Sequence, residues 1–171
     1  FNVESSNELA RLQLVAADMG LRAPVSIRVN PDVDPKTHPY IATGLTRNKF
    51  GIAFPQALEV YRQARRLPNI ELAGIDFHIG SQITDTQPYA DAVERLVTMV
   101  NTLQAEGIEL SHLDLGGGLG IRYRDEQPIT PAQYAAAVLP CLANLPHKIV
   151  LEPGRYLVGN AGVLLTRVEH L

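Results

Sequence analysis

The stretch 110–120 reads Leu-Ser-His-Leu-Asp-Leu-Gly-Gly-Gly-Leu-Gly, a short apolar run that leads directly into a group of glycines. The run predicts a β-strand over 110–115, and glycines that follow a strand let backbone N–H groups surround an anion, most often a phosphate. The spacing is not that of a nucleotide P-loop, because no Gly-Lys-Ser/Thr follows. Nor is it that of a dinucleotide fold, because Ile121 stands where Gly-x-Gly-x-x-Gly needs its third glycine. The alternative is a tight turn without a ligand.

Short β-branched runs alternate with amphipathic runs on both sides of this stretch. Further strands are predicted over 1–4, 25–30, 72–79, 149–152 and 162–168, and helices from Ser5, over 55–67, from Pro88 to 107, and from Thr130 with a kink at Pro140. Such alternation indicates parallel βα units, which occur in a (β/α)8 barrel and in a doubly wound open sheet. The pattern amounts to about five βα units, and a whole barrel needs about 250 residues. We therefore predict an α/β fold, part of a (β/α)8 barrel, with residues 1–171 in one domain.

The composition is that of a globular domain. The 171 residues are 46% hydrophobic and 19% charged, which is enough apolar material for a core and too little charge for disorder. The net charge of −3 argues against a nucleic-acid or anionic-membrane partner, and no apolar run reaches the length of a membrane span. A single cysteine, Cys141, excludes a disulfide framework and a cysteine-ligated zinc cluster.

Polar residues and glycines collect where the predicted strands end, at Asn30, at 78–81, at 114–118 and at 152–155. Because the ends of parallel strands share one rim, these residues are expected to lie together, at the rim where barrel enzymes keep their sites. His78 is either a structural histidine or a flat ring that stacks on an aromatic cofactor, and Ser81 is placed to donate to a phosphate. No second histidine or carboxylate stands at metal spacing, so no metal is expected.

Glu152 follows an apolar strand and must find a partner, since an unpaired buried charge is costly. That partner is either Arg155 or the protonated ring nitrogen of a cofactor. In the second case Arg155 is free to bind a substrate carboxylate or a phosphate through its planar fork.

Taken together, these segments resemble the pyridoxal 5'-phosphate (PLP)-dependent decarboxylases with an alanine-racemase-like barrel. The matching motifs are Phe-Asn-Val-Glu-Ser from Phe1, Arg-Val-Asn-Pro from Arg28, Thr-His-Pro-Tyr-Ile-Ala-Thr-Gly from Thr37, Lys-Phe-Gly from Lys49, His-Ile-Gly-Ser-Gln from His78, Asp-Leu-Gly-Gly-Gly-Leu-Gly-Ile from Asp114 and Glu-Pro-Gly-Arg from Glu152. They run nearly from end to end of the chain and keep the order of the family.

The resemblance implies PLP as cofactor and a role for each matched position. His78 would stack on the pyridine ring, Glu152 would pair with the pyridinium nitrogen, and Arg155 would reach both the phosphate and the substrate. The glycines and Ser81 would hold the phosphate. The implied cofactor-binding residues are His78, Ser81, Gly116, Gly117, Gly118, Glu152, Pro153, Gly154 and Arg155.

Two further features of the resemblance concern the reaction. Alanine racemases of this barrel type have an arginine where Glu152 stands, so Glu152 favours a decarboxylase. Residues 118–121 and Gln82 resemble the branch that converts meso-diaminopimelate to L-lysine and CO₂. The alternatives are an arginine- or ornithine-type decarboxylase, a non-catalytic PLP-binding barrel protein, and a phosphate-binding barrel enzyme without PLP.

The catalytic lysine and cysteine of the family are not found among the matched positions. The three lysines are Lys36 in a loop, Lys49 in a separate motif and Lys148 at the wrong end of its strand, and Cys141 lies in an apolar helix typical of core. The Schiff-base lysine and the proton-donating cysteine are therefore expected outside this chain, on N-terminal barrel strands and a C-terminal β-domain. The resemblance further implies a cytoplasmic homodimer for the whole protein and no activity for this chain alone.

Overall fold

The computed structural model describes residues 1–35 and 50–170. Within these ranges, strands and helices alternate along the chain. In order they are β1 (Asn2–Val3), α1 (Ser6–Asp18), β2 (Ala23–Asn30), β3 (Ile52–Ala53), α2 (Phe54–Ala64), β4 (Ile70–Asp76), α3 (Gln87–Ala105), β5 (His112–Asp114), α4 (Pro131–Leu142), β6 (Lys148–Val150) and α5 (Gly154–Val158). Lys36, Lys49 and the motif at 37–44 lie outside the described residues.

The strands form one parallel sheet whose spatial order follows the chain. The order is β1-β2-β4-β5-β6, and the short β3 pairs with the end of β2. A doubly wound sheet reverses its strand order at a switch point, whereas a barrel is wound in one direction throughout. The described strands show no reversal. The fold is therefore α/β with the winding of a partial (β/α)8 barrel, and the open-sheet alternative is wrong.

The two faces of the sheet differ in polarity. Val25, Ile27 and Val29 of β2 are buried in the core beneath the helices, and the same face of β4 and β5 carries Ile75 and Leu113. The opposite face carries two registered rows of residues, because successive side chains of a strand point to opposite sides. These rows are Ser26, Gly74, His112 and Lys148, and, one step nearer the carboxyl ends, Arg28, Asp76, Asp114 and Val150.

Side-chain caps confirm two of the predicted helix starts, those at Ser5 and Thr130. Ser5 Oγ accepts the Glu8 N–H at 3.1 Å, and the Glu8 carboxylate accepts the Glu4 N–H at 2.6 Å. Thr130 and Gln133 form the capping box of α4. Each arrangement satisfies backbone donors that a helix start leaves without intrahelical partners. Helix α4 continues through Pro140 to Leu142, so the proline lies in its last turn.

The strands end earlier than their apolar runs predict. β4 ends at Asp76, not at residue 79, and β6 ends at Val150, so His78 and Glu152 lie two residues beyond their strands. After β4 and β5 the chain leaves the sheet through turns that contain glycines with positive φ, +157° at Gly80 and +65° at Gly116.

The end of the described chain also differs from the prediction. Residues 162–168, predicted as extended, pair with no strand among the described residues, and Leu164 and Leu165 are 92% and 93% exposed. A strand needs a neighbour for its backbone groups, and none lies beside this segment. Helix α5 was not predicted, because its five residues show no apolar period.

Candidate functional site

Backbone hydrogen bonds join the loops that follow β4, β5 and β6. The Glu152 N–H donates to the Gly116 carbonyl at 2.8 Å, and the Ile83 N–H donates to the Gly118 carbonyl at 2.9 Å. The Gly117 N–H donates to Nδ1 of His78 at 3.3 Å. The residues predicted at three strand ends are thus brought together at the carboxyl edge of the sheet.

The glycines at 116–118 are required by the neighbouring loops. A Cβ on Gly116 would lie 2.2 Å from the Phe77 carbonyl oxygen, one on Gly117 would lie 2.0 Å from that of Glu152, and one on Gly118 would lie 2.2 Å from that of Gly80. Real Cβ atoms do not approach backbone this closely. The prediction that these glycines leave room for an anion therefore needs a refinement, since their first physical role is the close approach of backbone to backbone.

The same loop still presents a donor. Gly118 has φ of +90°, and its N–H makes no hydrogen bond within the described residues. A positive φ of this kind turns the amide out of the sheet pattern, as in the backbone concavities that bind anions.

Arg155 lies against Ser81 and not against Glu152. Its Nε and Nη2 donate to Ser81 Oγ at 3.2 and 3.0 Å, and its Nη1 donates to the Tyr123 hydroxyl. No ion pair between Glu152 and Arg155 occurs among the described residues. Arg155 is therefore not the partner of Glu152 in this structure, and of the two partners considered, the ring nitrogen of a cofactor is left.

His78 is held as a neutral ring. Its Nδ1 accepts the Gly117 N–H, which leaves Nε2 to carry the proton. Burial, followed by the nearby Arg28 charge, lowers the pKa of His78 below its usual range. A neutral, half-buried imidazole held by the Gly117 N–H presents a flat face, which suits stacking on an aromatic ring.

Three carboxyl groups converge beside the glycine loop. Carboxyl oxygens of Asp76, Asp114 and Glu152 lie within 4.8 Å of one another. Asp76 and Asp114 are 3% and 5% exposed, whereas Glu152 reaches solvent. Burial raises the pKa of Glu152, the Asp114 charge raises it further, and Arg28 opposes both effects.

An ion pair between Arg28 and Glu4 lies at the same edge of the sheet. Arg28 Nη1 contacts Glu4 Oε1 at 2.6 Å, and the other oxygen of Glu4 accepts the Gly51 N–H at 3.1 Å. The arginine carbon Cζ lies 5.4 Å from the centre of the Phe50 ring. Sequence reasoning assigned no role to Arg28, Asp76 or Asp114, although a charged residue inside an otherwise apolar strand was a usable signal.

The remaining candidates lie away from this edge. Lys148 begins β6 and so stands at the amino end of the sheet, as predicted. Cys141 is half-buried on α4 and packs against the hydrophobic core, which confirms the prediction for it. No helix in the described ranges is both long and apolar enough to cross a membrane.

With this geometry established, comparison with known proteins places the chain in a family. The family described as "Pyridoxal-dependent decarboxylase, pyridoxal binding domain" matches residues 1–159. The chain belongs to this family, and the cofactor that the family implies is PLP.

Particular relatives are similar to the whole of the chain. It is 58% identical over 171 residues to diaminopimelate decarboxylase of Pseudomonas aeruginosa, covering 100% of this chain and 41% of that protein. The crystal structure of diaminopimelate decarboxylase from Helicobacter pylori complexed with L-lysine is 42% identical, with a TM-score of 0.87 over 90% of this chain and 39% of that one. A lysine/ornithine decarboxylase from Vibrio vulnificus, complexed with putrescine, is 28% identical with a TM-score of 0.72 over 92% of this chain and 38% of that one. The chain thus spans about 41% of the length of the curated relatives it matches.

Proposed function

We propose that the protein containing this chain is a PLP-dependent carboxy-lyase that converts meso-diaminopimelate to L-lysine and CO₂. The observation that carries the proposal is the arrangement around the glycine loop at 116–118. That loop bonds to His78 on one side and to Glu152 on the other, and Arg155 and Ser81 lie beside Gly80, whose carbonyl packs against Gly118. A ring-stacking group, an acidic group and an anion-binding group thus belong to one connected set.

The residues present fit PLP. Arg155, Ser81 and the Gly118 N–H supply a cation, a hydroxyl and an amide, which are the groups that bind a phosphate dianion. His78 offers its neutral face to the ring, and Glu152 offers a carboxylate to a ring N–H. Pro153 and Gly154 carry the chain from Glu152 to Arg155, so the two side chains serve opposite ends of one flat molecule. Gly116 and Gly117 keep the loops close enough for both ends to be held.

The chemistry follows from the acidic partner. When bound, PLP supplies an electron sink for the electron pair that CO₂ leaves on Cα of the substrate. Glu152 as a carboxylate keeps the proton on the ring nitrogen, which strengthens that sink. An arginine at this position would instead repel the ring proton, so Glu152 supports decarboxylation over racemisation.

Diaminopimelate as substrate is supported by the degree of similarity. The diaminopimelate decarboxylases are up to 59% identical to this chain, whereas the lysine/ornithine decarboxylase is 28% identical. We further propose that the Schiff-base lysine and a proton-donating cysteine belong to parts of the protein outside this chain, and that it works as a cytoplasmic homodimer with a site composed from both subunits. Light scattering that showed an active monomer would contradict the dimer.

The test uses the whole protein. Release of CO₂ is measured with meso-diaminopimelate, ornithine, arginine and lysine as separate substrates, and bound PLP is followed by its visible absorbance. We expect PLP to be bound and diaminopimelate to be the preferred substrate by kcat/KM. Preference for ornithine or arginine would favour the related decarboxylases, bound PLP without CO₂ release would favour a non-catalytic barrel protein, and absence of PLP would favour a simple phosphate-binding enzyme.

A further inference from the structure

The carboxyl cluster formed by Asp76, Asp114 and Glu152 has more negative charge than its surroundings compensate. Within residues 1–35 and 50–170, the cation that acts on this cluster is Arg28, which is already paired with Glu4 at 2.6 Å. Three carboxyl groups with oxygens within 4.8 Å of one another repel strongly when all are ionised. The cluster therefore keeps at least one proton near neutral pH.

The hydrogen bonds of the cluster identify the group that keeps it. Asp114 Oδ1 accepts the Gly116 N–H at 2.9 Å, so this carboxyl group has a hydrogen-bond donor. Glu152 is more exposed to solvent than either aspartate, so its charged form loses less hydration than theirs would. Asp76 is only 3% exposed, and its buried Oδ1 has no hydrogen-bond partner among the residues that the structure describes. An ionised carboxylate without a donor is the costliest of the three in such a place.

We propose that Asp76 is a positioning residue that holds the proton of this cluster, and that the neutral Asp76 removes one negative charge from beside Glu152. As a carboxylic acid, Asp76 carries no charge in this buried place, and its hydroxyl is a donor among carboxyl oxygens that lie within 4.8 Å of one another. Glu152 then retains the charge that the proposed ring-nitrogen contact requires. This last consequence rests on the proposed function, whereas the proton on Asp76 does not.

Charged groups from several neighbouring elements influence the pKa of Asp76. The charged groups that act on it are Arg28 from β2, Asp114 from β5, Glu152 after β6 and Glu4 after β1. Tyr61 of α2 lies in the core across the sheet, where its hydroxyl donates to the Gly74 carbonyl at 2.9 Å. Burial, followed by the charges of Asp114 and Glu152, raises the pKa of Asp76 to about 7, and Arg28 opposes them. The order of these causes agrees with the geometry.

The experiment is a titration of the cofactor-free whole protein labelled with ¹³C at the aspartate carboxyl carbons. Loss of one signal in Asp76→Asn assigns Asp76. In the wild-type protein we expect the pH titration of the Asp76 carboxyl signal to have its midpoint near pH 7. In Asp114→Asn, which removes a neighbouring negative charge, this midpoint should be lower by about one pH unit. Glu152→Gln removes the other neighbour from a solvent-exposed position and should lower the midpoint in the same direction.

A wild-type Asp76 midpoint near pH 4, or one that moves in neither variant, would overturn the proposal. If Asp114→Asn does not fold, the wild-type titration and the Glu152→Gln titration decide between the outcomes. The test is separable from the proposed function: a midpoint near 7 in a protein that does not bind PLP leaves the proton on Asp76 and removes the cofactor. PLP binding together with an Asp76 titration midpoint near pH 4 supports the cofactor and overturns the proton on Asp76.

Discussion

Replacing Gly118 by alanine should destabilise the site for two separable reasons. Gly118 has φ of +90°, and a side chain in the left-handed region costs about 1–2 kcal/mol. The new Cβ would also lie 2.2 Å from the Gly80 carbonyl oxygen, so the backbone has to move, and overpacking of this kind costs about 1–3 kcal/mol. The sum is about 2–5 kcal/mol in the free energy of unfolding.

Three other glycines serve as controls that separate the backbone strain from the steric clash. Gly117 has no positive φ but its Cβ would lie 2.0 Å from the Glu152 carbonyl oxygen, so Gly117→Ala should show only the steric cost of about 1–3 kcal/mol. Gly20 has φ of +65° and open space around its Cβ, so Gly20→Ala should show only the backbone cost of about 1–2 kcal/mol. Gly162 has neither feature, and Gly162→Ala should change stability by less than about 0.5 kcal/mol.

Urea unfolding of the whole protein and its variants measures these differences, and a PLP titration of each variant measures the effect on the site. Gly118→Ala and Gly117→Ala should also weaken PLP binding, because both displace the loop that joins the two ends of the site. Gly20→Ala should leave PLP affinity unchanged, since Gly20 follows α1 at the opposite edge. The reasoning is refuted if Gly117→Ala is no less stable than Gly162→Ala, or if Gly118→Ala binds PLP as the wild-type protein does.

The remaining predictions concern the charged groups of the site. Glu152→Gln should retain PLP but lower kcat about 100-fold or more, because the ring nitrogen loses its anionic partner, and near-normal turnover would argue against that contact. Arg155→Lys should weaken PLP binding about tenfold, since an ammonium group cannot replace the planar fork that contacts Ser81 and Tyr123; an unchanged Kd would exclude a phosphate role. Asp76 has a raised pKa, so the folded protein binds its proton more tightly than the unfolded chain, and the stability that Asp76 contributes falls as pH rises from about 4 to about 7. Asp76→Asn should therefore be more stable than wild type at pH 8, by at most about 4 kcal/mol, and similar at pH 4, with the exposed Asp18→Asn as control in urea unfolding.

Local patterns were enough to predict most of the fold. The capping residues Ser5 and Thr130 mark helix starts because each contacts a residue only three positions further along the chain. Short apolar runs separated by helical periods indicate parallel strands, since a crossover needs a helix between them. The predicted gathering of His78, the glycine loop and Glu152 at one edge follows from parallel strands alone.

Contacts between distant segments were not predictable in the same way. Arg155 stood three residues from Glu152 in the sequence and was a natural partner, yet in the structure it turns to Ser81, 74 residues away in the chain. Proximity in sequence does not decide which way a side chain points once the backbone turns sharply. The cluster of Asp76, Asp114 and Glu152 similarly joins three strands that no local pattern relates.

Residue periods of a few positions specify the order of the elements, their parallel arrangement and the rim at which polar residues collect, so these features could be predicted from the sequence. Which residues share a face was decided only by the tertiary structure. The pairing of β2 with β4 shifts by one residue after Val25, so that Val25 lies opposite Leu72 but Ser26 lies opposite Gly74. A bulge of one residue exchanges the two faces of a strand. Without that shift Arg28 would lie opposite Ile75, and the arginine would not join the row that carries Asp76 and Asp114.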